Sequence, residues 1–156
     1  MRRPFLALSA LVLSACATAP VPRDIQRTAI VEGADFDRTW DAVIDVLGER
    51  TWAIDNVERA SGLITTDWML TGEASDDYMD CGSASFLSAH RDHEVRFNVL
   101  VRDSDVGAEL TVNSAMRATS WNTLDGTPEG AAQCVSTGVL EREIHDEVMR
   151  RVMGRS

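Results

Sequence analysis

The sequence contains no lysine, so all 15 of its basic side chains are arginine, and they do not gather into a basic run. Acidic residues outnumber them 25 to 15, which gives a formal net charge of −10 at pH 7. Nonspecific affinity for nucleic acid comes mostly from basic side chains that neutralise phosphates. The composition therefore argues against a nucleic-acid-binding protein, and it argues equally against electrostatic docking onto anionic lipid headgroups.

The sequence also lacks a long apolar run. Its longest, from Pro4 to Leu13, lies near the N-terminus. A membrane-spanning helix needs about 20 consecutive apolar residues, so this run is too short to cross a bilayer. It follows Arg2 and Arg3 and leads into small residues, which is the order of parts in a secretory signal peptide. We therefore predict a signal peptide over residues 1–15.

The four residues Leu13-Ser14-Ala15-Cys16 resemble the bacterial lipobox, in which a signal peptidase cuts before a cysteine whose sulfur has been acylated. The resemblance implies that Cys16 is the mature N-terminus and is lipidated, which anchors the chain to a membrane. Lasting attachment needs more than one acyl chain, and the multiply acylated cysteine of a lipoprotein meets that condition. The alternative is an ordinary secretory signal peptide that contains a cysteine by chance.

The export route and the final membrane are each predicted from a few residues of this segment. Arg2, Arg3, Phe5 and Leu6 fit a twin-arginine signal, but the missing polar n-region favours general secretion. The residue after the cysteine is Ala17 and not aspartate. This predicts a protein anchored in the outer membrane and facing the periplasm, with the inner membrane as the alternative.

Chain length and composition predict one folded domain. Removal of residues 1–15 takes away two arginines and brings the formal net charge from −10 to −12. Residues 16–26 are mostly small or polar and contain two prolines, so we interpret them as the lipidated cysteine and a flexible tether. The remainder, residues 27–156, is predicted to be a single α+β domain.

Cysteine is scarce, with three in the chain. If Cys16 bears lipid, Cys81 and Cys134 remain in an oxidising compartment, and we predict a disulfide between them. Closing a loop of this length stabilises a fold by about 4 kcal/mol in the chain-entropy model. The alternative is a nucleophilic Cys134 activated near the start of the last helix, but His145 lies about three turns farther along that helix, out of reach.

Apolar spacing predicts two helices and five strands. Phe36, Trp40, Val43, Ile44 and Leu47 recur at helical spacing, with Asp35 as N-cap and Gly48 as the stop. A second helix is marked by Val135, Val139, Leu140, Ile144, Val148 and Val152. Strands are predicted at Thr28–Ala34, Trp52–Val57, Leu63–Leu70, Val95–Val101 and Leu110–Met116, with long loops at Thr71–Asp92 and Trp121–Gly130. The last two strands alternate apolar and polar residues on either side of a turn at Ser104–Gly107, which predicts a hairpin.

The resulting order, β-α-β-β-β-β-α, predicts an α+β fold: an antiparallel sheet with helices packed on one face, in a helix-grip-like arrangement. The stretches "FDRTWDAVIDVLGERTWAIDNVERASGLITTDW" and "CVSTGVLEREIHDEV", with a pattern at Gly62, Ile64 and Trp68, carry a resemblance. They resemble small envelope lipoproteins related to the C component of the outer-membrane β-barrel assembly machinery. The chain contains one such domain where the well-known member has two.

The resemblance, together with the predicted lipid anchor, implies an accessory binding module in envelope or outer-membrane protein assembly. Its partners would be the membrane, through lipid on Cys16, and envelope assembly proteins. No nucleophile and base form a recognisable pair, so we predict a non-enzymatic protein without a cofactor. The alternative function is that of a small-molecule or lipid-binding helix-grip lipoprotein.

Two groups of polar residues are candidate metal ligands. His90 and His93 flank Asp92 in an H-x-x-H pattern, but a third ligand is not assured, and we interpret them as solvent-exposed histidines at a loop end. An acidic group lacks the alternating pattern of a calcium loop and is interpreted as solvated; it comprises Glu73, Asp76, Asp77 and Asp80. We therefore predict no metal site.

The aromatic residues are the remaining candidates for a site. Trp40 and Trp68 are predicted to be core residues, although Trp40, Trp52, Trp68 and Trp121 together could line a ligand pocket between sheet and helix. We predict that Tyr78, Phe86 and Trp121 bind a partner, because they lie on the two long loops that the predicted disulfide would draw together and aromatic anchors dominate protein interfaces.

Overall fold

A computed structural model of the chain describes residues 17–72 and 75–154. The predicted signal peptide, Cys16 and Glu73 lie outside the described residues. The elements are β1 Thr28–Glu32, α1 Phe36–Glu49, β2 Ile54–Glu58, β3 Leu63–Thr66, β4 Met69–Leu70, α2 Ser75–Tyr78, β5 Met79–Asp80, β6 Ser88–Ser104, β7 Gly107–Asn122, β8 Pro128–Ser136 and α3 Val139–Gly154.

Helix α1 forms where the apolar spacing predicts it. Asp35 caps its N-terminus, since its carboxylate accepts a hydrogen bond from the backbone N–H of Arg38 at 2.9 Å. The apolar stripe is buried as expected for an amphipathic helix. The buried residues of the helix are Thr39, Trp40, Ala42, Val43, Val46 and Leu47.

The sheet is built around one long hairpin. Strands β6 and β7 contain 17 and 16 residues and are joined by a tight turn. The outer edge of β7 pairs with β1 near this turn and with β8 at the far end, while the outer edge of β6 pairs with β3 and β4. Strand β2 adds to β3 and β5 adds to β8, and every pairing is antiparallel.

Alternation along β6 and β7 gives the sheet a covered face and an uncovered face. On the covered face, apolar side chains pack with those of α1 and α3 in one core; the sheet supplies Ile64, Val95, Phe97, Val99, Val101, Leu110, Val112 and Met116. The intervening residues, such as Arg96, Asn98 and Asn113, lie on the opposite face, which neither α1 nor α3 covers. An α+β domain with an antiparallel sheet is therefore confirmed.

The element order differs from the predicted β-α-β-β-β-β-α by four additional elements. The strand predicted over Leu63–Leu70 is divided into β3 and β4, and the loop predicted over Thr71–Asp92 contains α2 and β5. Strand β8 occupies part of the second predicted loop, so Val135 lies in a strand and α3 begins at Val139. Strand β8 has a single β-branched residue, Val135, and is organised by pairing with β7, which a single-sequence pattern does not reveal.

Candidate binding surfaces

The predicted disulfide joins Cys81 and Cys134, with an S–S distance of 2.01 Å. Cys81 directly follows β5, and Cys134 lies within β8. The bond therefore attaches the β5 region to a sheet strand, and the expectation that Cys134 lies near the start of the last helix is wrong. Since its sulfur is bonded to Cys81, Cys134 is not a free thiol, which removes the alternative of a Cys134 nucleophile in this state.

Two turns meet at the end of the hairpin that is opposite the β6–β7 turn. We call residues 83–88 and 122–128 the distal tip. The backbone N–H and the hydroxyl of Thr123 both donate to the carbonyl of Leu87, at 2.8 and 2.9 Å. The adjoining Phe86 and Leu124 are 78% and 77% exposed. The aromatic pattern identified Phe86, whereas Leu124 was missed because a lone leucine in a polar turn gives no periodic signal.

The chain at residues 17–27, which we call the N-terminal segment, lies against the domain in the structure. The carbonyl of Thr18 accepts from the N–H of Ser83 at 3.0 Å, and the two hydroxyls are 2.8 Å apart. Farther along, the carbonyl of Arg27 accepts from the N–H of Val112 at 2.8 Å. The predicted tether thus contacts the distal tip through Thr18, and Arg27, which directly follows the tether, contacts the sheet.

Tyr78, Phe86 and Trp121 do not form one surface. Tyr78 packs against the helix-covered core, and its hydroxyl donates to Glu143 of α3 at 3.0 Å. Burial, reinforced by this hydrogen bond, raises the pKa of the Tyr78 hydroxyl. Trp121 lies at the end of β7 and not in a loop, is half-buried, and donates its indole N–H to Asp92 at 2.9 Å. Phe86 alone of the three is strongly exposed.

The uncovered face has its own aromatic centre at Trp68. The Arg96 and Arg117 guanidiniums lie 4.8 and 4.1 Å from the centre of its ring, and Arg117 forms an ion pair with Glu94 at 2.7 Å. Cation–π contacts of this kind hold a tryptophan in a fixed orientation at a surface. The expectation that Trp68 is a core residue is therefore wrong, while Trp40, at 3% exposure, is a core residue.

Beside Trp68, polar side chains form a row across the strands of the uncovered face. Thr65 pairs with Asn98, and Asn98 pairs with Asn113, whose amide N–H donates to the Asn98 amide oxygen at 3.2 Å. A depression of about 380 Å³ lies over this row and also includes Asp55 and Arg96. The face therefore offers amide, hydroxyl and charged groups next to an aromatic ring.

The two histidines of the H-x-x-H pattern lie in strand β6 and are half-buried, not solvent-exposed at a loop end. The His90 ring nitrogen Nδ1 is 3.2 Å from the Ser120 hydroxyl. Both histidines line a depression of about 370 Å³ beside the disulfide, with Arg23 and Asp80. Among residues 17–72 and 75–154, no group of three or more histidine, cysteine, aspartate or glutamate side chains has a metal-binding arrangement.

Two ionisable side chains of α3 are buried on the covered side. The Glu141 carboxylate is fully buried and accepts hydrogen bonds from Ser114 at 2.5 Å and from Ser136 at 2.7 Å. His145 is 4% exposed, and its Nε2 atom has no hydrogen-bond partner in the part of the chain that the structure describes. Burial lowers the pKa of His145, against smaller opposing effects of nearby backbone groups and of Asp146 and Glu141.

The covered side thus stabilises the domain, and the uncovered face and the distal tip present groups to solvent. The fold and these surfaces define a small α+β domain in which α1 and α3 cover one face of the sheet and leave the other face uncovered. No protein-family model and no curated protein sequence matches the chain. In the part of the chain that the structure describes, no helix is long and apolar enough to span a bilayer.

Proposed function

We propose that this protein is a non-enzymatic, lipid-anchored binding module that faces the periplasm from the outer membrane and assists envelope or outer-membrane protein assembly. The lipid anchor rests on the signal peptide and lipobox that end at Cys16. The role in assembly rests on the resemblance of the α1–β3 and α3 segments to the helix-grip domains of assembly-machinery lipoproteins. We also propose that the sheet and α3 form a helix-grip-like unit.

The observation that supports binding best is the composition of the uncovered face. It combines Trp68, held between Arg96 and Arg117, with the neighbouring row of polar side chains. Tryptophan and arginine are enriched among the residues that contribute most to protein interfaces. An antiparallel sheet with one packed face leaves the other free for such a role. We therefore assign the partner-binding surface to this face, with Trp121 at its end.

The alternative function is binding of a small molecule or lipid between the sheet and the helices. That space is filled by a continuous apolar core, in which Trp40, Leu47 and Ile144 are at most 3% exposed. The packing favours a surface interaction over a ligand in the interior. The depression on the uncovered face is lined mainly by polar side chains, which suits a polar partner better than an acyl chain.

The anchor is tested by changing Cys16→Ser. We expect the protein to leave the membrane fraction or to remain unprocessed, because the acyl chains contribute about 0.8 kcal/mol per buried CH₂. Mass spectrometry of the purified protein should find acyl groups on Cys16. A mature N-terminus at another residue, with an unmodified Cys16, would contradict the proposed anchor.

The binding face is tested by Trp68→Ala, with Trp52→Ala as the matched control. Trp52 is also half-buried, but it packs edge-on against Phe97 of the covered face at 4.9 Å between ring centres. Both variants are used to recover partners from solubilised membranes in mild detergent, with quantitative mass spectrometry. Loss of an interface anchor costs about 2 kcal/mol, so Trp68→Ala should reduce recovery of a specific partner about thirtyfold.

Trp52→Ala should lower the melting temperature and leave partner recovery per folded molecule unchanged. Equal recovery by the wild type and Trp68→Ala would contradict the assignment of this face. If recovery were also unaffected by Trp121→Ala, and an apolar ligand raised the melting temperature, the small-molecule alternative would replace the proposal.

A further inference from the structure

The distal tip presents the two most exposed large apolar side chains in the described residues, Phe86 at 78% and Leu124 at 77%. Single exposed apolar residues are common on soluble domains and need no explanation. These two differ because hydrogen bonds from Thr123 to Leu87 join their turns, so they project from the same end of the sheet. The tip therefore presents two exposed apolar side chains from adjoining turns.

The N-terminal segment leads to this same tip. Thr18 is bonded to Ser83, which lies three residues before Phe86 in the first of the two turns. Cys16 precedes Thr18 by two residues, and two residues of chain span at most about 7 Å. A lipid on Cys16 would therefore start beside the distal tip and far from the β6–β7 turn.

Gly82 enables the close approach of the N-terminal segment. It has a φ of +71°, and a Cβ at this position would lie 2.1 Å from the carbonyl oxygen of Thr18. Any other residue would have to displace the segment from the tip, because that distance is well inside van der Waals contact. The bond between Thr18 and Ser83 thus depends on a glycine at position 82.

We infer that the distal tip is the membrane-facing surface of the domain, where Phe86 and Leu124 insert into the boundary between lipid headgroups and acyl chains. The inference rests on the proposed lipidation of Cys16. Membrane contact of this kind depends on buried apolar area, since the tip carries the acidic Asp125, adjoins Glu129 of β8 and would be repelled by anionic lipid. The lipid surface that fits is therefore zwitterionic.

This orientation has a consequence for the rest of the molecule. Strand β6 leads away from the tip for 17 residues, which is about 55 Å at about 3.3 Å per residue. The β6–β7 turn, with the exposed Val106, would point away from the bilayer. The uncovered face would then stand upright on the membrane, where a membrane-embedded or periplasmic partner can reach Trp68 from the side.

The test places a solvatochromic fluorescent side chain at position 86, 124 or 106 of the full protein. The acylated protein is reconstituted at low density into phosphatidylcholine–phosphatidylethanolamine vesicles. We expect probes at 86 and 124 to shift to the blue and to be quenched at least about threefold more by spin-labelled lipid than the probe at 106. Position 106 is the matched control, because Val106 is exposed at the opposite turn.

The role of the N-terminal segment is tested with Gly82→Ala, which should release Thr18 and remove most of the quenching at position 86. Gly33→Ala is the matched control, since Gly33 has a similar φ of +72° but open space where a Cβ would lie. It should leave the quenching unchanged. The probe comparison does not involve this substitution, so it decides the orientation even if Gly82→Ala does not fold.

Equal quenching at 86 and 106 would overturn the inference, as would quenching at 86 that persists in folded Gly82→Ala. A blue shift that grows with protein density at constant lipid would assign the tip to a second copy of the chain and would overturn it as well. If mass spectrometry finds Cys16 unacylated, the proposed anchor fails. The orientation is then measured separately by coupling the Cys16 thiol to a maleimide lipid, since the other two cysteines form the disulfide.

Discussion

The two faces of the sheet are formed by the same strands and are chemically opposite. In β6, Val99 is fully buried against the helices, and the adjacent Asn98 lies in a polar row on the other side. In β7, Val112 and Asn113 show the same contrast. One face thus contributes apolar burial and stability, and the other presents groups suited to recognition.

The domain thus combines an apolar core on one side of the sheet with a polar face on the other. The covered side buries the apolar side chains of the sheet, so residues of the uncovered face are not constrained by packing against α1 and α3. Glu141 and His145 are exceptions to the apolar character of the covered side, because both are buried ionisable residues. Their environments differ, since Glu141 has two hydroxyl partners and the His145 Nε2 atom has none among the described residues.

The largest expected difference between the faces is at neighbouring residues of β3. Ile64 is fully buried in the core, so Ile64→Ala should reduce the free energy of unfolding by about 3 kcal/mol through lost burial and the cavity left behind. Thr65 lies on the uncovered face, and Thr65→Ala should change the free energy of unfolding by no more than about 0.5 kcal/mol. Urea unfolding monitored by circular dichroism measures both, and similar losses would show that the uncovered face is covered in solution.

A smaller effect is expected at the buried carboxylate. Glu141→Ala leaves the half-buried hydroxyls of Ser114 and Ser136 without their acceptor, and the loss of two hydrogen bonds at about 1 kcal/mol each costs about 2 kcal/mol. Glu141→Gln retains an acceptor oxygen and should lose less. If both variants have the wild-type free energy of unfolding, the two serine hydrogen bonds do not stabilise the domain, and Glu141 has no structural role.

The smallest effect is a pH dependence from His145. Its folded pKa is lowered, so the folded state disfavours the proton that the unfolded histidine accepts near pH 6.5. Stability should therefore fall as pH decreases from about 7 to about 5.5. Melting temperatures of the wild type and His145→Gln across this range measure the effect. The melting temperature of the variant should fall less steeply as pH decreases. An identical fall in both proteins would show that folding does not lower the pKa of His145.

Local patterns predicted the parts of the molecule that local physics controls. The spacing of Trp40, Val43 and Leu47 defined α1 and its buried stripe, and Asp35 was recognisable as its cap. The disulfide followed from the number of cysteines and the expected compartment. The tight turn before Gly107 and the alternation on both sides of it indicated the central hairpin.

The candidate surfaces were predicted less well, because they depend on contacts between distant residues. Trp68 follows an apolar stretch and was expected in the core, but β3 ends at Thr66 and the ring lies against two arginines from other strands. Trp121 was expected in a loop, but pairing with β6 and β8 extends β7 through it. Of the three aromatics predicted to bind a partner, Phe86 alone is strongly exposed.

The sequence by itself determined the first helix, the central hairpin and the cysteine pair, because each depends on spacing, turn residues or redox chemistry that is visible along the chain. Tertiary structure decided which aromatic residues face solvent, that β8 is a strand, and that the N-terminal segment reaches the distal tip. The physical reason is that strand pairing and the contact between Thr18 and Ser83 join residues far apart in sequence. Their hydrogen bonds form only once the partner strand or turn is in place.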